Sequence, residues 1–442
     1  MRASQITRRS FIRATALAVA GLGWLPLDRF ASRADAQSSP PYQALVCVFL
    51  LGGNDANNMV VPTDSRYTAY ARARQGLAIP PTQVLALGGS TPGYGLHPSM
   101  PELQALYDRG LAAIVANVGT LNAPITVEEY LAGAGVPLSL YSHDDQQNQW
   151  QSSVSDGGPL SASGWGGRIA DLSAGSSGLT ALSLGGNLLF VNGQTTRSVS
   201  VNPGQIDYSP GGPSEPFEGL LTQASQYVLV NGANSITANA LQALRSLSSA
   251  TSLGKLATVF PADSYGLGQS LKFVAEVISS RQALGVARQV FIVPLASFDT
   301  HVSQLATQAA LLSALSQGIA AFYQATVELG LESAVTTFTM SEFNRTFQPN
   351  TTAGTDHAWG THQLVIGGSV VGGLYGDFPI LELGGPTDVD PDARGLWLPQ
   401  FSVDQYGATL ARWLGLQQTQ LNQIFPHLAN FAQQDIGFMA TS

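Results

Sequence analysis

Residues 289–304 read QVFIVPLASFDTHVSQ. After Gln289 the first part is a short unbroken apolar run, the pattern of a strand covered on both faces, as in a parallel sheet flanked by helices. The run then stops at Asp299, Thr300 and His301, and a helix-like segment begins at 302. In open α/β sheets functional groups collect beyond the carboxyl ends of strands. Side chains two apart on an extended chain point the same way, so Asp299 and His301 are expected to face one cleft while Thr300 faces elsewhere. Capping of the following helix would need only one short acceptor, Asp299 or Thr300, and would leave His301 without a purpose.

Working outward, similar apolar strands are expected at about 43–51, 112–118, 180–184, 335–341 and 363–367. Between them lie helix-like stretches. PSMPELQALYDRG (98–110) opens with Ser and Pro and closes with Gly, as helix ends prefer. Segments 267–285 and 302–330 carry helical periodicity. The alternation indicates a three-layer α/β/α sandwich with a mainly parallel sheet, one domain over 43–442. Residues 185–265 are rich in Ser, Gly and Asn, with NPGQ and SPGGPSEP turns, and read as a loop-rich insert.

The amino terminus carries a different signal. TRRSFIR (7–13) precedes an apolar run at 14–27, and ADA then precedes Gln37. A basic segment, a short apolar segment and small residues at −3 and −1 make a cleavable export signal over 1–36, followed by a linker at 37–42. The pair Arg8–Arg9 with Phe11 resembles the twin-arginine type, which exports folded proteins to the periplasm. The run is too short for a membrane anchor, which needs about 20 apolar residues, and no stable span is expected after cleavage. Its removal would take away six arginines and two aspartates, leaving a more acidic chain.

The formal charge is already −9, and charged residues are 11% of the chain against roughly 25% in ordinary globular proteins. Without a basic footprint to neutralise phosphates, nucleic acid is excluded as a partner. Hydrophobic residues at 44% support a large core. The single cysteine, Cys47, lies in the apolar ALVCVFLL and reads as an inert buried thiol.

Candidate site residues follow the strands. Asp55 stands after a Gly-Gly turn in LLGGNDANNMVVP (50–62), and Glu342 and Arg345 lie in SEFNRT after the strand at 335–341. Asp356, His357 and His362 belong to NTTAGTDHAWGTH (350–362), and Ser142 and His143 mark a helix start in LYSHDDQQNQWQ (140–151). Four of the six histidines fall in these segments. Carboxylates and imidazoles converging from several strand ends make a divalent-metal site, and two ions about 4 Å apart could clamp a phosphoryl or sulfuryl group. Each residue also has a local structural reading. Asp55 could bond its own turn, Asp299 could cap a helix, Trp359 could staple TDHAWG, and Ser142 could be an N-cap with acids favourably placed behind it.

Taken in order, FLLGGNDANNMVVP, LHPSM, YSHDDQQNQW, GWGGRIAD (164–171), FDTHVSQ, TMSEFNRTFQPN and GTDHAWGTHQLVIGGSVVGGLYGDFP resemble the bacterial exported proteins of domain-of-unknown-function family 1501. That family is grouped with the alkaline phosphatase and sulfatase superfamily, so the resemblance implies an alkaline phosphatase-like sandwich with one or two divalent metals (Zn, Ca, Mg or Mn). It implies Asp55, Asp299, His301, Glu342, Asp356, His357 and His362 as candidate ligands, Ser142 as nucleophile at a helix start, and His143 and Arg345 beside it. Phe343 departs from the superfamily, where a ligand His is usual, and Asn344 and Ala358 stand where the family commonly has Gly.

The function expected is an exported metal-dependent hydrolase or transferase of phosphate or sulfate esters. The substrate would be a small-molecule or glycan ester, with Arg345 holding a non-bridging oxygen and His301 or His357 shuttling protons. Two other readings stand beside it. One is a non-catalytic periplasmic binding or assembly factor with a degenerate site and a protein partner. The other is a metal-free hydrolase using Ser142 and His143, disfavoured because neighbours on a helix do not face one another.

Overall fold

The computed structural model describes residues 41–89, 93–173, 179–203, 219–253 and 256–441. In chain order its strands are β1 (Gln43–Leu50), β2 (Val60–Pro62), β3 (Leu85–Ala86), β4 (Tyr94–Leu96), β5 (Ala112–Gly119), β6 (Ala181–Ser183), β7 (Val199–Ser200), β8 (Arg288–Leu295), β9 (Val335–Met340), β10 (Thr361–Ile366), β11 (Gly373–Tyr375) and β12 (Phe401–Ser402). The longer helices are α1 (Tyr67–Arg74), α2 (Pro101–Asp108), α3 (His143–Ser152), α4 (Trp165–Asp171), α5 (Val228–Leu253), α6 (Leu267–Ser279), α7 (Gln304–Glu328), α8 (Val403–Trp413) and α9 (Gln418–Ile424).

Nine strands form one sheet in the order β11-β5-β10-β9-β1-β8-β6-β7, with β12 also on β5, and β2, β4 and β3 form a small second sheet. β1 pairs in parallel with both β8 and β9, and β10 runs antiparallel to β9 and β5. The sheet is thus mostly parallel, as the unbroken apolar runs require. β1 shows how both faces are covered. Ala44, Val46, Val48 and Leu50 join the core that also holds Leu103 of α2, Leu271 of α6 and Leu315 of α7. Leu45, Cys47 and Phe49 join the core with Ile169 of α4, Leu410 of α8 and Leu421 of α9. Cys47 is fully buried there, and burial pushes its thiol well above the ordinary range, as expected of an inert side chain.

α6 buries Leu271, Val274, Ala275 and Ile278, one stripe of a 3.6-residue repeat. α7 is long and apolar enough to cross a membrane by length and composition. Half of its apolar window is buried, and the helix packs on α2 and α6, so its composition serves the core here. The expected insert at 185–265 is less loop-rich than its Ser and Gly content predicts, because it contains the 26-residue α5. Ala and Leu are the best helix formers, and Ala243 and Leu247, one turn apart, bury into the first core. Residues 204–218 of the insert, the export signal at 1–36 and most of the linker lie outside the described residues.

The register sets the site. Leu50 is opposite Leu295, and Phe49 is opposite Met340, so the carboxyl ends of β1, β8 and β9 are level. The loops that follow them, carrying Asp55, Asp299 with His301, and Glu342 with Arg345, therefore leave the sheet side by side.

Candidate metal centre

β8 ends at Leu295, earlier than its apolar run suggests, and Ser297 adopts a positive φ of 87°. The shared direction of Asp299 and His301 thus comes from the loop and not from strand pleat. Asp299 Oδ1 lies 3.0 Å from His301 Nε2, while Thr300 Oγ1 turns away to Gln304 Oε1 at 3.1 Å. Neither residue caps the next helix. Ser303 occupies the N-cap of α7 without a side-chain bond, and the N–H groups of Ser303 and Gln304 donate to the carbonyls of Thr352 and Ala353 at 3.1 and 3.0 Å.

The other two segments are zipped together. Asn344 N–H donates to Trp359 O at 3.1 Å, Ala358 N–H to Asn344 O at 2.8 Å, and Thr346 N–H to Asp356 O at 2.9 Å. This short antiparallel pairing sets Arg345 against His357 and draws SEFNRT and TDHAWG into one unit. The Asn344 side chain fastens it further, accepting from Ala56 N–H at 2.9 Å and donating to Gly360 O at 2.9 Å. Trp359 is buried against Tyr130 with ring centroids 5.6 Å apart, so it also staples its loop.

Three imidazoles meet Asp299 in this setting. Its Oδ1 is 3.0 Å from His301 Nε2, 3.5 Å from His143 Nε2 and 3.6 Å from His357 Nε2. The two nitrogens His301 Nε2 and His357 Nε2 are 3.1 Å apart. Each ring is held from behind through Nδ1. His143 Nδ1 contacts Glu342 Oε1 at 2.9 Å, His301 Nδ1 contacts Asp356 Oδ1 at 3.1 Å, and His357 Nδ1 contacts the Tyr141 carbonyl at 2.8 Å. Phe343 floors the group, stacked on His357 at 4.5 Å and tilted to His143 at 4.8 Å. Ligand atoms of His143, Asp299 and His357 all lie within 4.8 Å of one another, a spacing that could hold a metal ion.

The charges agree with this geometry. The Glu342 hydrogen bond raises the basicity of His143. Burial lowers that of His357, against the Tyr141 carbonyl. Burial acts to raise Asp299, but its bond and ion pair with Arg345, followed by His301 and His143, hold the carboxyl below its ordinary value. Asp356 is held low in the same way, by Asn350, His301 and Arg394 against burial.

The remaining predicted residues are placed differently. Arg345 is fully buried, and its five N–H groups are all engaged. Nε donates to Gly53 O at 2.9 Å, the Nη1 group faces Thr355 O at 3.1 Å and His301 Nε2 at 3.4 Å, and Nη2 reaches Gly52 O and Asp299 Oδ1. No donor is left for a substrate oxygen. The Gly52–Gly53 turn makes this knot possible. Both have positive φ, and a Cβ at Gly52 would overlap the Asp299 nitrogen while one at Gly53 would overlap the Phe343 ring. Asp55 is buried and caps the one-turn helix Ala56–Met59, accepting from Asn57 N–H at 3.1 Å. Its Oδ2 pairs with Arg74 and accepts from Gln304, so its bonds go to those residues and not to the imidazoles. His362 sits in β10, where Nδ1 accepts from Asn117 N–H at 3.0 Å, and burial lowers its pKa to about 3. Glu342 and Asp356 adjoin the cluster from behind. Ser142 caps α3, its Oγ accepting from Asp145 N–H at a long 3.4 Å.

Sequence reasoning missed Gln147, Tyr141 and Phe343 as parts of the site. Gln147 lies one turn after His143 and donates to the same Glu342 Oε1 at 2.9 Å. Its i, i+4 spacing on a predicted helix was the available signal. Tyr141 acts through its backbone, which no side-chain pattern reveals.

Among comparisons with known proteins, no curated protein matches this chain. Solved structures similar to it include two of one protein. One is the crystal structure of Ps i-CgsB in complex with k-i-k-neocarrahexaose, at TM-score 0.33 and 10% identity, covering 86% of this chain and 74% of that one. The other is Ps i-CgsB, at TM-score 0.35 and 9% identity, covering 88% and 77%. Likeness at that level is too slight to carry over a fold or a function. The decisive match is over residues 42–392, to the family described as "Protein of unknown function (DUF1501)", and the chain belongs to that family.

Proposed function

We propose that this protein is an exported, metal-dependent hydrolase or transferase acting on a phosphate or sulfate ester, built on an alkaline phosphatase-like sandwich. The observation that carries this reading is the meeting of three Nε2 atoms with one carboxylate oxygen at the level carboxyl ends of parallel strands. A divalent cation there would polarise a phosphoryl or sulfuryl oxygen and offset the charge that develops on it. The chain's own residues do the rest. Glu342, Asp356 and the Tyr141 carbonyl fix the rings, and Phe343 excludes water from below. Ser142 is the nucleophile of the proposal. It stands between Tyr141 and His143 at the start of α3, and its long cap bond uses the oxygen, so the hydroxyl proton would pass to solvent water as the oxygen bonds the phosphoryl or sulfuryl centre and the alcohol leaves. Rings that bind through Nε2 and hold Nδ1 against an acceptor have no free nitrogen to shuttle a proton, so the role expected of His301 and His357 drops out, and Arg345 serves to orient Asp299. The substrate class is a small-molecule or glycan ester, with the Asp299 side chain 47% exposed at the mouth of the site. The test is hydrolysis of 4-nitrophenyl phosphate and 4-nitrophenyl sulfate, with elemental analysis of the same sample. Turnover that Ser142→Ala and chelator each abolish is expected. Stoichiometric metal without turnover of either ester or of a glycan ester panel would overturn the catalytic reading.

A second reading is favoured by one specific observation. Both strand-end aspartates are paired with fully buried arginines, Asp55 with Arg74 and Asp299 with Arg345. Guanidinium charge already offsets both strand-end carboxylates, which suits a periplasmic binding or assembly factor with a degenerate site. Its protein partner could use the exposed Tyr227, Val228 and Leu229 at the start of α5. Export itself rests on Arg8 and Arg9. Lysine at both positions is expected to hold the precursor in the cytoplasm, and unchanged periplasmic yield would remove the twin-arginine route.

A further inference from the structure

We propose that His143, His301, His357 and Asp299 form a single four-ligand centre for a borderline divalent cation of the zinc class, and that Glu342, Asp356 and the Tyr141 carbonyl are positioning groups for it. The inference rests on the reading of this cluster as a metal site and narrows it to one ion, one ligand set and one class of metal.

The tautomers come first. Each Nδ1 faces an oxygen acceptor, a carboxylate oxygen of Glu342 or Asp356 or a backbone carbonyl. Donation from Nδ1–H satisfies each of these acceptors, and each ring then turns its Nε2 inward. His301 Nε2 and His357 Nε2 then confront each other at 3.1 Å with no proton to share. His143 Nε2 is buried without a hydrogen-bond partner. Arg345 reaches only two of these four donors, His301 Nε2 and Asp299 Oδ1, so the repulsion among the group calls for a further cation between them. Atoms bound at 2.0–2.1 Å to a common tetrahedral ion are about 3.3 Å apart, and Asp299 Oδ1 lies 3.0 to 3.6 Å from the three nitrogens, with His301 and His357 Nε2 3.1 Å from each other.

The donor chemistry selects the metal. Magnesium and calcium take oxygen ligands, whereas imidazole suits zinc and its neighbours. Carboxylates backing the distal nitrogens are the arrangement that orients zinc-bound histidines and raises their basicity. The other acids are committed elsewhere. Asp55 is held by Arg74 and Gln304, and Asp356 by His301, Asn350 and Arg394. Glu342 Oε1 takes Gly52 N–H, His143 and Gln147, although its Oε2 has no hydrogen-bond partner. Arg345 on Asp299 adds a fixed positive charge that opposes a second ion.

The experiment titrates the metal-stripped full-length protein with Zn(II), Co(II), Mg(II) and Ca(II), read by calorimetry and by the visible absorption of cobalt. One equivalent of zinc, a tetrahedral cobalt spectrum and no magnesium or calcium binding below millimolar are expected. His301→Ala and, as a second variant, His357→Gln should each weaken zinc by a hundredfold or more, with the circular dichroism of the stripped protein unchanged. Glu342→Gln and Asp356→Asn should keep one equivalent and weaken it about 10–100-fold, and Asp55→Asn should leave it within a factor of three. Preference for magnesium or calcium, two equivalents of zinc, or loss of binding in Asp55→Asn would overturn this inference while sparing the metal reading. Binding of none of the four metals would overturn both.

Discussion

Asp55 and Asp299 follow adjacent parallel strands whose ends are level, and each meets a fully buried arginine. Their fates differ. Asp55 is itself buried, and its oxygens take Arg74, Gln304 and the Asn57 N–H, which closes it off. The Asp299 side chain is 47% exposed, and the oxygen that takes Arg345 also faces three imidazole nitrogens. A carboxylate after a strand is a prompt for chemistry, and what surrounds it decides between a closed ion pair and an open site. A third acid, Asp404 in α8, is fully buried with only neutral donors on its oxygens, Ser153 Oγ at 2.6 Å and His427 N–H at 2.9 Å. Burial pushes its pKa up to about 6.

The largest effect should come from breaking the closed pair. Arg74→Met leaves Asp55 as an unpaired buried charge and is expected to cost about 3–5 kcal/mol in denaturant unfolding. The double change Asp55→Asn with Arg74→Met should recover most of it. A cost near that of an exposed substitution would show that Asp55 is not closed.

Asp404 sharpens the contrast through pH. Its folded pKa lies above the ordinary aspartate value of 3.8, so the folded state binds the proton more tightly. The associated stability is full below about pH 4 and is lost as pH rises through about 6. At about 1.4 kcal/mol per pKa unit this is roughly 3 kcal/mol. The stability of Asp404→Asn relative to the native chain should therefore grow by about that amount between pH 3.5 and 7, measured by unfolding at each pH. A constant difference across that range would place the charge of Asp404 in contact with water.

The open site should respond to metal where the closed pair does not. At a zinc concentration a hundredfold above the dissociation constant, binding adds about 2.7 kcal/mol of stability. Chelator should remove that increment, seen as a fall in Tm. Asp55→Asn, itself destabilised, should keep the chelator response, and Asp299→Asn should lose it. The reverse outcome would exchange the roles of the two aspartates.

The smallest effect belongs to Ser142. Its cap bond is long, and Ser142→Ala should cost about 0.5–1 kcal/mol of stability. Ester turnover, in contrast, should vanish. Turnover retained alongside that small stability loss would make Ser142 a structural cap only.

The sequence by itself determined the strands. β1 is an unbroken apolar run from Ala44, β8 is one after Arg288 and Gln289, and β5 is one interrupted at Asn117, because both their faces are covered, whereas β9 and β10 mix Thr, His and Gln into buried strands. It also determined that polar residues after those strands would gather at one end of the sheet, and it supplied the motifs of the family over 42–392. It did not reveal α5, whose described buried residues are only Ala243 and Leu247 within a Ser-, Ala- and Asn-rich stretch. Only the tertiary structure decided which candidates share a site. Asp55 is captured by Arg74 from α1, His362 is turned inside β10, and Arg345 is consumed by the carbonyls of Gly52, Gly53 and Thr355. These partners lie far apart along the chain, and hydrogen bonds to backbone carbonyls leave no mark on side-chain identity. His143, His301 and His357 came together because three loops of different length end level on one sheet and because acceptors behind each ring fix its proton, facts that exist only once the chain has folded.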